Sequence, residues 1–211
     1  MYYFIKTPWL LKKAYPNCTW SIPVHDKVMY LTFDDGPNPL ATPVALDLLK
    51  QYNAKGTFFC VGKNVEDYPE IYNRVLEEGH RTGNHTFNHE NGWKVSNEEY
   101  IGSILQAEKY IHSNLFRPPY GRISKFQIKV LTTASKNRPN PFRIIMWDVV
   151  SADFDTALSP EQCTQNVLKH AKKGSVVIFH DSEKALPRMQ LSLMHTLEHF
   201  SNEGYRFEAI Q

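Results

Sequence analysis

The sequence has few cysteines, no long apolar run and almost no net charge, and each of these features excludes a class of protein. The three cysteines, Cys18, Cys60 and Cys163, are odd in number and lack CxxC spacing, so neither a disulfide framework nor a cysteine-type zinc site is expected. They are predicted to be small buried residues. No segment approaches the roughly 18 consecutive apolar residues of a membrane-spanning helix. The 24 Lys and Arg and 22 Asp and Glu residues give a net charge of +2, which offers no general attraction for nucleic acid or an anionic membrane.

The N-terminal residues also lack a recognisable targeting signal. Lys6 and Pro8 interrupt the apolar residues, no basic leader precedes them, and no small-residue cleavage site follows. By default, the chain is therefore expected in the cytoplasm.

What remains is the composition of a folded globular chain. Of the 211 residues, 42% are hydrophobic and 22% are charged, and no repeat, linker or compositional break divides them. We predict one domain over residues 1–211, with a core at about 28–210 and an N-terminal extension, 1–27, packed on it. The sequence does not define the oligomeric state, and a monomer is compatible with it.

Short β-rich runs alternate with helical patterns along the chain. The predicted strands cover residues 28–33, 57–61, 80–84, 115–117, 142–147, 175–179 and 205–210. Helical periodicity or capping signals lie between most of them, including a helix that begins after Ser96 with Ile101, Ile104 and Leu105 on its apolar stripe. Such alternation predicts an α/β fold with parallel strands and right-handed crossovers, and it fits both an open sheet and a closed barrel.

Polar side chains gather where the predicted strands end. They are Asp34, Asp35, His85, His89, Arg117, Asp148, Asp153, His180 and Asp181. Because the carboxyl ends of parallel strands open on one side, where active sites lie, these residues are expected to converge on one rim.

The histidines of this set have the spacing of a metal site. On a helical turn, His85 and His89 would share one face and one ion. With a carboxylate they would form a three-ligand site, which suits catalytic zinc and equally a non-haem iron centre. Thr86 stands where the zincin motif has its Glu, so a general base must come from elsewhere. The alternative is a pair of surface histidines.

The adjacent carboxylates offer such a base. Leaving a strand, Asp34 and Asp35 point in different directions, so one can bind the ion while the other stands beside the water. The alternative is a turn with an Asx cap.

Five segments in order resemble the motifs of the polysaccharide deacetylases, the carbohydrate esterases with the NodB-homology fold. The segments are TFDDGP at 32–37, HTFNH at 85–89, RPPYG at 117–121, DVVSADF at 148–154 and IFH at 178–180. The resemblance implies a distorted (β/α) barrel of about seven parallel strands.

It also implies the metal site and its base. Asp35, His85 and His89 would bind a divalent metal, most often zinc, with cobalt or nickel as alternatives. Asp34 would take a proton from the metal-bound water. Arg117 would hold Asp34 in its ionised form.

Further roles follow from the same resemblance. His180 would be the general acid, oriented by Asp153, and the backbone N–H of Tyr120 would stabilise the oxyanion. Contacts to the substrate are implied at Pro118, Tyr120, Phe154 and Ile178. Two of these depart from the family pattern, which usually has Trp where Phe154 stands and Leu where Ile178 stands. Outside the motifs, Trp93 and Trp147 are candidate sugar-stacking residues.

The expected function is therefore a bacterial hydrolase that removes acetyl groups from an N-acetylated glycan resembling a chitooligosaccharide or peptidoglycan, by attack of a metal-bound water. The alternatives are an O-acetyl esterase acting on acetylated xylan, a barrel that binds glycan without turnover, and an iron oxygenase that uses the same ligand set.

Overall fold

The computed structural model describes residues 3–136 and 139–211, so Met1 and Tyr2 of the predicted N-terminal extension lie outside it. In chain order the elements are α1 (Trp9–Ala14), β1 (Cys18–Thr19), β2 (Val28–Asp34), α2 (Ala41–Gln51), β3 (Thr57–Cys60), α3 (Gly62–Asp67), α4 (Pro69–Glu77), β4 (Arg81–Asn84), α5 (Asn97–Ala107), β5 (Leu115–Phe116), a 3₁₀ turn (Pro119–Gly121), α6 (Lys125–Ala134), β6 (Arg143–Ile145), β7 (Val149–Val150), α7 (Pro160–His170), β8 (Val176–His180), α8 (Leu186–Asn202) and β9 (Arg206–Phe207).

The strands form one curled parallel sheet in the order β1-β6-β5-β4-β3-β2-β8-β7, with β9 paired to β2. All registered strand pairs are parallel, as predicted. In the described part of the chain, β1 and β7 are the two ends of this order, so the sheet is a half-barrel. It has nine strands instead of about seven, because β1 and β7, of two residues each, lie outside the predicted runs.

The central strand β2 positions the first candidate site residues. All seven of its residues are buried, as expected for a strand covered on both faces of a parallel sheet. Phe33 stacks on Phe58 of β3 with ring centroids 4.6 Å apart, and both belong to the core that α2 and α8 cover through Leu46 and Leu193. Asp34 is the last residue of β2 and emerges from this core at the carboxyl edge of the sheet.

Local signals in the sequence account for the helix starts. The hydroxyls of Ser124 and Ser159 cap α6 and α7 in full capping boxes, and Ser96 accepts from the Glu99 N–H at the start of α5. The predicted stripe of α5 was partly wrong, because Leu105 is exposed and Tyr100 is buried in its place.

The predicted N-terminal extension is bound to the sheet at a buried carboxylate. Asp148 lies 2.6 Å from Lys6 Nζ and 2.5 Å from Lys12 Nζ, and it accepts a hydrogen bond from Ser175 Oγ at 2.6 Å. Burial alone would raise the pKa of Asp148, but these three donors lower it overall. Asp148 therefore anchors residues of the extension and lies outside the candidate site.

Replacing this anchor is expected to cost stability. Asp148→Asn should lower the free energy of unfolding by about 1–3 kcal/mol, because two partly exposed lysines lose a buried charged partner. Since its pKa is lowered in the folded protein, the carboxylate stabilises the fold above its ordinary pKa of 3.8 and loses that effect as the pH falls further. Urea unfolding at neutral pH and at about pH 3 measures both effects. The matched control is Asp26→Asn, which removes an exposed ion pair to Arg206 and should change little.

Two further sequence expectations concern the cysteines and membrane-spanning helices. Cys18, Cys60 and Cys163 are buried, as predicted. In the described ranges, every helix is too short or too polar to cross a bilayer. His80, just before β4, is buried and accepts a hydrogen bond from the Gly56 N–H through Nδ1.

Candidate active site

Three predicted metal ligands meet at the carboxyl edge of the sheet. One ligand atom from each of Asp35, His85 and His89 lies within 4.8 Å of the others. His89 Nε2 is 3.1 Å from Asp35 Oδ1, and His85 Nε2 is 3.8 Å from the same oxygen. The structure thus brings together one carboxylate and two imidazoles whose reactive nitrogens face a common point.

The histidines reach this arrangement through a loop. The spacing predicted a helical turn, but residues 85–90 are irregular, and Thr86 and His89 have left-handed φ values of 63° and 61°. The loop is held by hydrogen bonds from the Thr86 N–H to Asn84 Oδ1 at 2.9 Å and from the Phe87 N–H to Ser103 Oγ at 2.8 Å. These constraints place the two imidazole rings 5.1 Å apart.

Hydrogen bonding and burial prepare the triad for a cation. His85 Nδ1 lies 2.7 Å from the Arg117 carbonyl oxygen, which can only accept, so Nδ1 carries the proton and Nε2 keeps its lone pair. Burial lowers the pKa of His85 to about 4, despite the nearby Asp34. Burial would raise the pKa of Asp35, but the hydrogen bond with His89 and the nearby imidazoles hold it well below its usual range. A neutral imidazole and an ionised carboxylate are the forms that ligate a divalent metal, so these residues fit one.

The second carboxylate has a different partner. Asp34 Oδ1 accepts a hydrogen bond from Arg117 Nη1 at 2.7 Å, and both side chains are buried. Arg117 also donates to Thr32 Oγ1 and to the carbonyls of Ile145 and Met146, so the guanidinium is held rigidly. The Asp34 carboxyl group is therefore fixed beside the triad.

Asp181 holds the loop that carries both carboxylates. The side chain is 1% exposed, and it accepts hydrogen bonds from the Gly36 N–H at 3.1 Å and Thr42 Oγ1 at 2.5 Å. Burial raises its pKa to about 8. A Cβ atom at Gly36 would lie 2.0 Å from an Asp181 oxygen, so the loop requires glycine at that point. Asp181 is therefore a positioning residue.

The predicted general acid, His180, lies on β8, the strand that pairs with β2. His180 is the register partner of Asp34. Asp153 Oδ1 is 2.8 Å from His180 Nδ1, and Asp153 Oδ2 accepts from the His180 N–H at 2.8 Å. Burial would lower the pKa of His180, but the charge and hydrogen bond of Asp153 raise it to about 9. His180 is thus an oriented imidazolium at neutral pH.

The predicted substrate contacts differ in accessibility. Tyr120 is 52% exposed, has a left-handed φ of 59°, and its ring centroid lies 4.6 Å from that of His89. The two hydrogen bonds of this turn are donated by the backbone N–H groups of the two residues after Tyr120. Neither bond uses the backbone N–H of Tyr120 itself. The Phe154 ring lies 5.1 Å from that of His180. Ile178 is 3% exposed and Pro118 is buried, so their contact with substrate stays a prediction.

The sequence of this chain is similar to a family model and to proteins of known name. A family model described as polysaccharide deacetylase matches residues 21–136. A peptidoglycan-N-acetylglucosamine deacetylase of Bacillus cereus is 35% identical over 199 residues, which cover 91% of this chain and 90% of that protein. A chitooligosaccharide deacetylase of Azorhizobium caulinodans is 33% identical over 160 residues, which cover 72% and 73%.

Solved structures agree. The crystal structure of the Bc1960 peptidoglycan N-acetylglucosamine deacetylase matches with a TM-score of 0.86 and 34% identity, over 97% of this chain and 95% of that one. The family model, the relatives and this structural match show that the chain belongs to the polysaccharide deacetylase family.

Proposed function

We propose that this protein is a divalent-metal-dependent N-deacetylase acting on glycans that contain N-acetylglucosamine. One observation carries the proposal: the triad of Asp35, His85 and His89 lies beside Asp34, a carboxylate held by an arginine, whose register partner is His180, an imidazole held by a carboxylate. Hydrolysis of an acetamide needs an activated water, a stabilised oxyanion and a proton for the departing amine. The arrangement offers a group for each.

The substrate class is proposed from relatives. The similar proteins are named as deacetylases of peptidoglycan N-acetylglucosamine and of chitooligosaccharide. A glycan of N-acetylated glucosamine units is their shared chemistry, and we propose it for this chain. Removal of O-acetyl groups from acetylated xylan is the alternative activity, and the acetate-release assay described below distinguishes the two.

Asp35, His85 and His89 would hold the ion, with zinc as first choice because two imidazoles and one carboxylate leave positions open for catalysis. When bound, such an ion lowers the pKa of a water and polarises the acyl carbonyl. Cobalt and nickel are the alternatives.

The other residues would move protons and stabilise charge. Asp34 would accept the proton of the attacking water, and the hydrogen bond from Arg117 Nη1 would hold its carboxyl group in position. The Tyr120 N–H would donate to the developing oxyanion. His180 would then protonate the leaving amine, with Asp153 fixing its ring.

The elevated pKa of His180 predicts a pH profile. Since the acid form is required, kcat/KM should fall as the pH rises through about 9. Asp153→Asn removes the charge that raises this pKa, so burial should lower it toward or below its ordinary 6.5 and shift the alkaline limb to lower pH. Asp155→Asn is the matched control, because Asp155 binds the Tyr3 hydroxyl and should leave the limb in place. An unshifted limb in Asp153→Asn would contradict the assigned pairing.

Acetate release from a panel of substrates tests the proposal. The panel contains N-acetylglucosamine oligomers, peptidoglycan fragments and acetylated xylan, offered to metal-stripped protein and to protein given zinc, cobalt or nickel. We expect metal-dependent release from the N-acetylated glycans. Glycan binding without release at full metal loading would instead support a non-catalytic barrel, and release from xylan alone would support the esterase.

A further inference from the structure

Two loops beside the Tyr120 turn meet at a fixed surface formed by Trp93 and Arg122. Gly92 packs so closely that a Cβ atom there would lie 2.5 Å from the Arg122 carbonyl oxygen. Gln127, which is 1% exposed, donates through Nε2 to the Gly92 carbonyl at 2.8 Å. The two loops are therefore held together by a buried hydrogen bond and a close backbone contact.

The surface pairs an aromatic ring with a cation. Trp93 is 57% exposed, and the guanidinium carbon of Arg122 lies 4.3 Å from its ring centroid. A single exposed tryptophan would need no explanation. Here the backbone before the ring is held by the Gly92 contacts, and the cation–π contact pairs the guanidinium with the ring. An indole face can pack against the C–H face of a sugar ring, while the guanidinium offers donors at its edge.

The surface adjoins the triad. Arg122 is two residues from Tyr120, so their Cα atoms are at most about 7.6 Å apart. The Tyr120 ring in turn lies 4.6 Å from the ring of His89. Arg122 is therefore carried by the backbone next to the turn whose Tyr120 ring contacts a predicted metal ligand.

Three cations of this region form no ion pair among the described residues, and the next carboxylates in the chain are Glu98 and Glu99 in the first turn of α5. The cations are Lys94, Arg122 and Lys125, which follow one another around the two loops. Glu90, the preceding carboxylate in the chain, accepts a hydrogen bond from Ser103 Oγ at 2.6 Å. The planar fork of an arginine matches a carboxylate in two parallel hydrogen bonds.

We propose that Trp93 and Arg122 form a subsite for a sugar that carries a carboxylate and neighbours the sugar at the triad. The inference rests on the proposed function and deepens it. An acidic glycan with muramic-acid chemistry would be preferred over a neutral N-acetylglucosamine oligomer of the same length.

Calorimetric binding tests the subsite independently of turnover. The probes are a neutral N-acetylglucosamine tetramer and a peptidoglycan tetrasaccharide with free lactyl carboxylates. For Arg122→Gln we expect the Kd for the acidic glycan to rise about three- to tenfold while the Kd for the neutral one is unchanged. Lys50→Gln removes the same charge from the last turn of α2, at the opposite end of the sheet, and should change neither.

Additional arms locate the carboxylate and the stacking surface. In a tetrasaccharide with peptide stems, the carboxylates are on the peptide and not on the lactyl group of the sugar. If Arg122→Gln weakens binding of the free lactyl form alone, the group that Arg122 binds is the carboxylate of the sugar. Trp93→Ala should weaken both glycans, and Trp93→Phe should restore part of the affinity. Equal effects of Arg122→Gln on both glycans, or no effect on either, would overturn the subsite. Acetate release decides the proposed function separately: release without this discrimination rejects only the subsite, and discrimination without release rejects only the deacetylase.

Discussion

Asp34→Asn should lower kcat by about 10²- to 10⁴-fold while the affinity for a divalent ion stays unchanged. The amide has the shape of the carboxylate and can still accept from Arg117 Nη1, which lies 2.7 Å from Asp34 Oδ1. It cannot take a proton from water. The measurement combines acetate release with calorimetric titration of zinc on the same preparation.

The control for Asp34→Asn is the same substitution at the neighbouring carboxylate, Asp35→Asn. His85 Nε2 lies 3.9 Å from Asp34 Oδ2 and 3.8 Å from Asp35 Oδ1, so this histidine does not distinguish the two carboxylates. His89 does, because its Nε2 is 3.1 Å from Asp35. Asp35→Asn should therefore weaken zinc binding. Loss of zinc by Asp34→Asn, with zinc retained by Asp35→Asn, would show that the two roles are reversed.

His180→Ala should have a comparably large effect that depends on the leaving group. On an N-acetyl substrate the departing amine needs a proton, and we expect a loss of about 10²- to 10⁴-fold in kcat. On an activated aryl acetate the leaving group departs without one, so the loss should be far smaller. Rates on both substrates measure the difference.

The matched control is His195→Ala on the exposed face of α8, which should alter neither rate. Equal losses on amide and activated ester in His180→Ala would contradict a role as general acid and point to damage of the site as a whole.

The site was predictable because its residues follow strands that the sequence marks clearly. The run from Val28 to Phe33 is apolar and is followed by two carboxylates, and β2 contains that run and ends one residue later, at Asp34. The run before His180 behaves in the same way in β8. Parallel pairing then makes Asp34 and His180 register partners. Apolar patterning and strand polarity together determine which polar groups meet.

Other features depend on backbone geometry and distant partners that spacing does not reveal. The spacing of His85 and His89 fits a helical turn, but the left-handed Thr86 directs both rings from a loop. Asp181 acts on Gly36, which lies 145 residues away in the chain. Nothing near Asp148 in the sequence indicates that it pairs with lysines of the N-terminal segment.

The most direct measurement is a zinc titration of metal-stripped protein in which bound zinc and acetate release are recorded in the same samples. We expect release from an N-acetylglucosamine oligomer to rise in proportion to bound zinc and to level off at one ion per chain. His89→Ala should need more zinc to reach the same occupancy, because Asp35 loses its nearest imidazole. Full release from protein without bound metal, or release that does not follow zinc occupancy, would contradict a reaction centred on Asp35, His85 and His89.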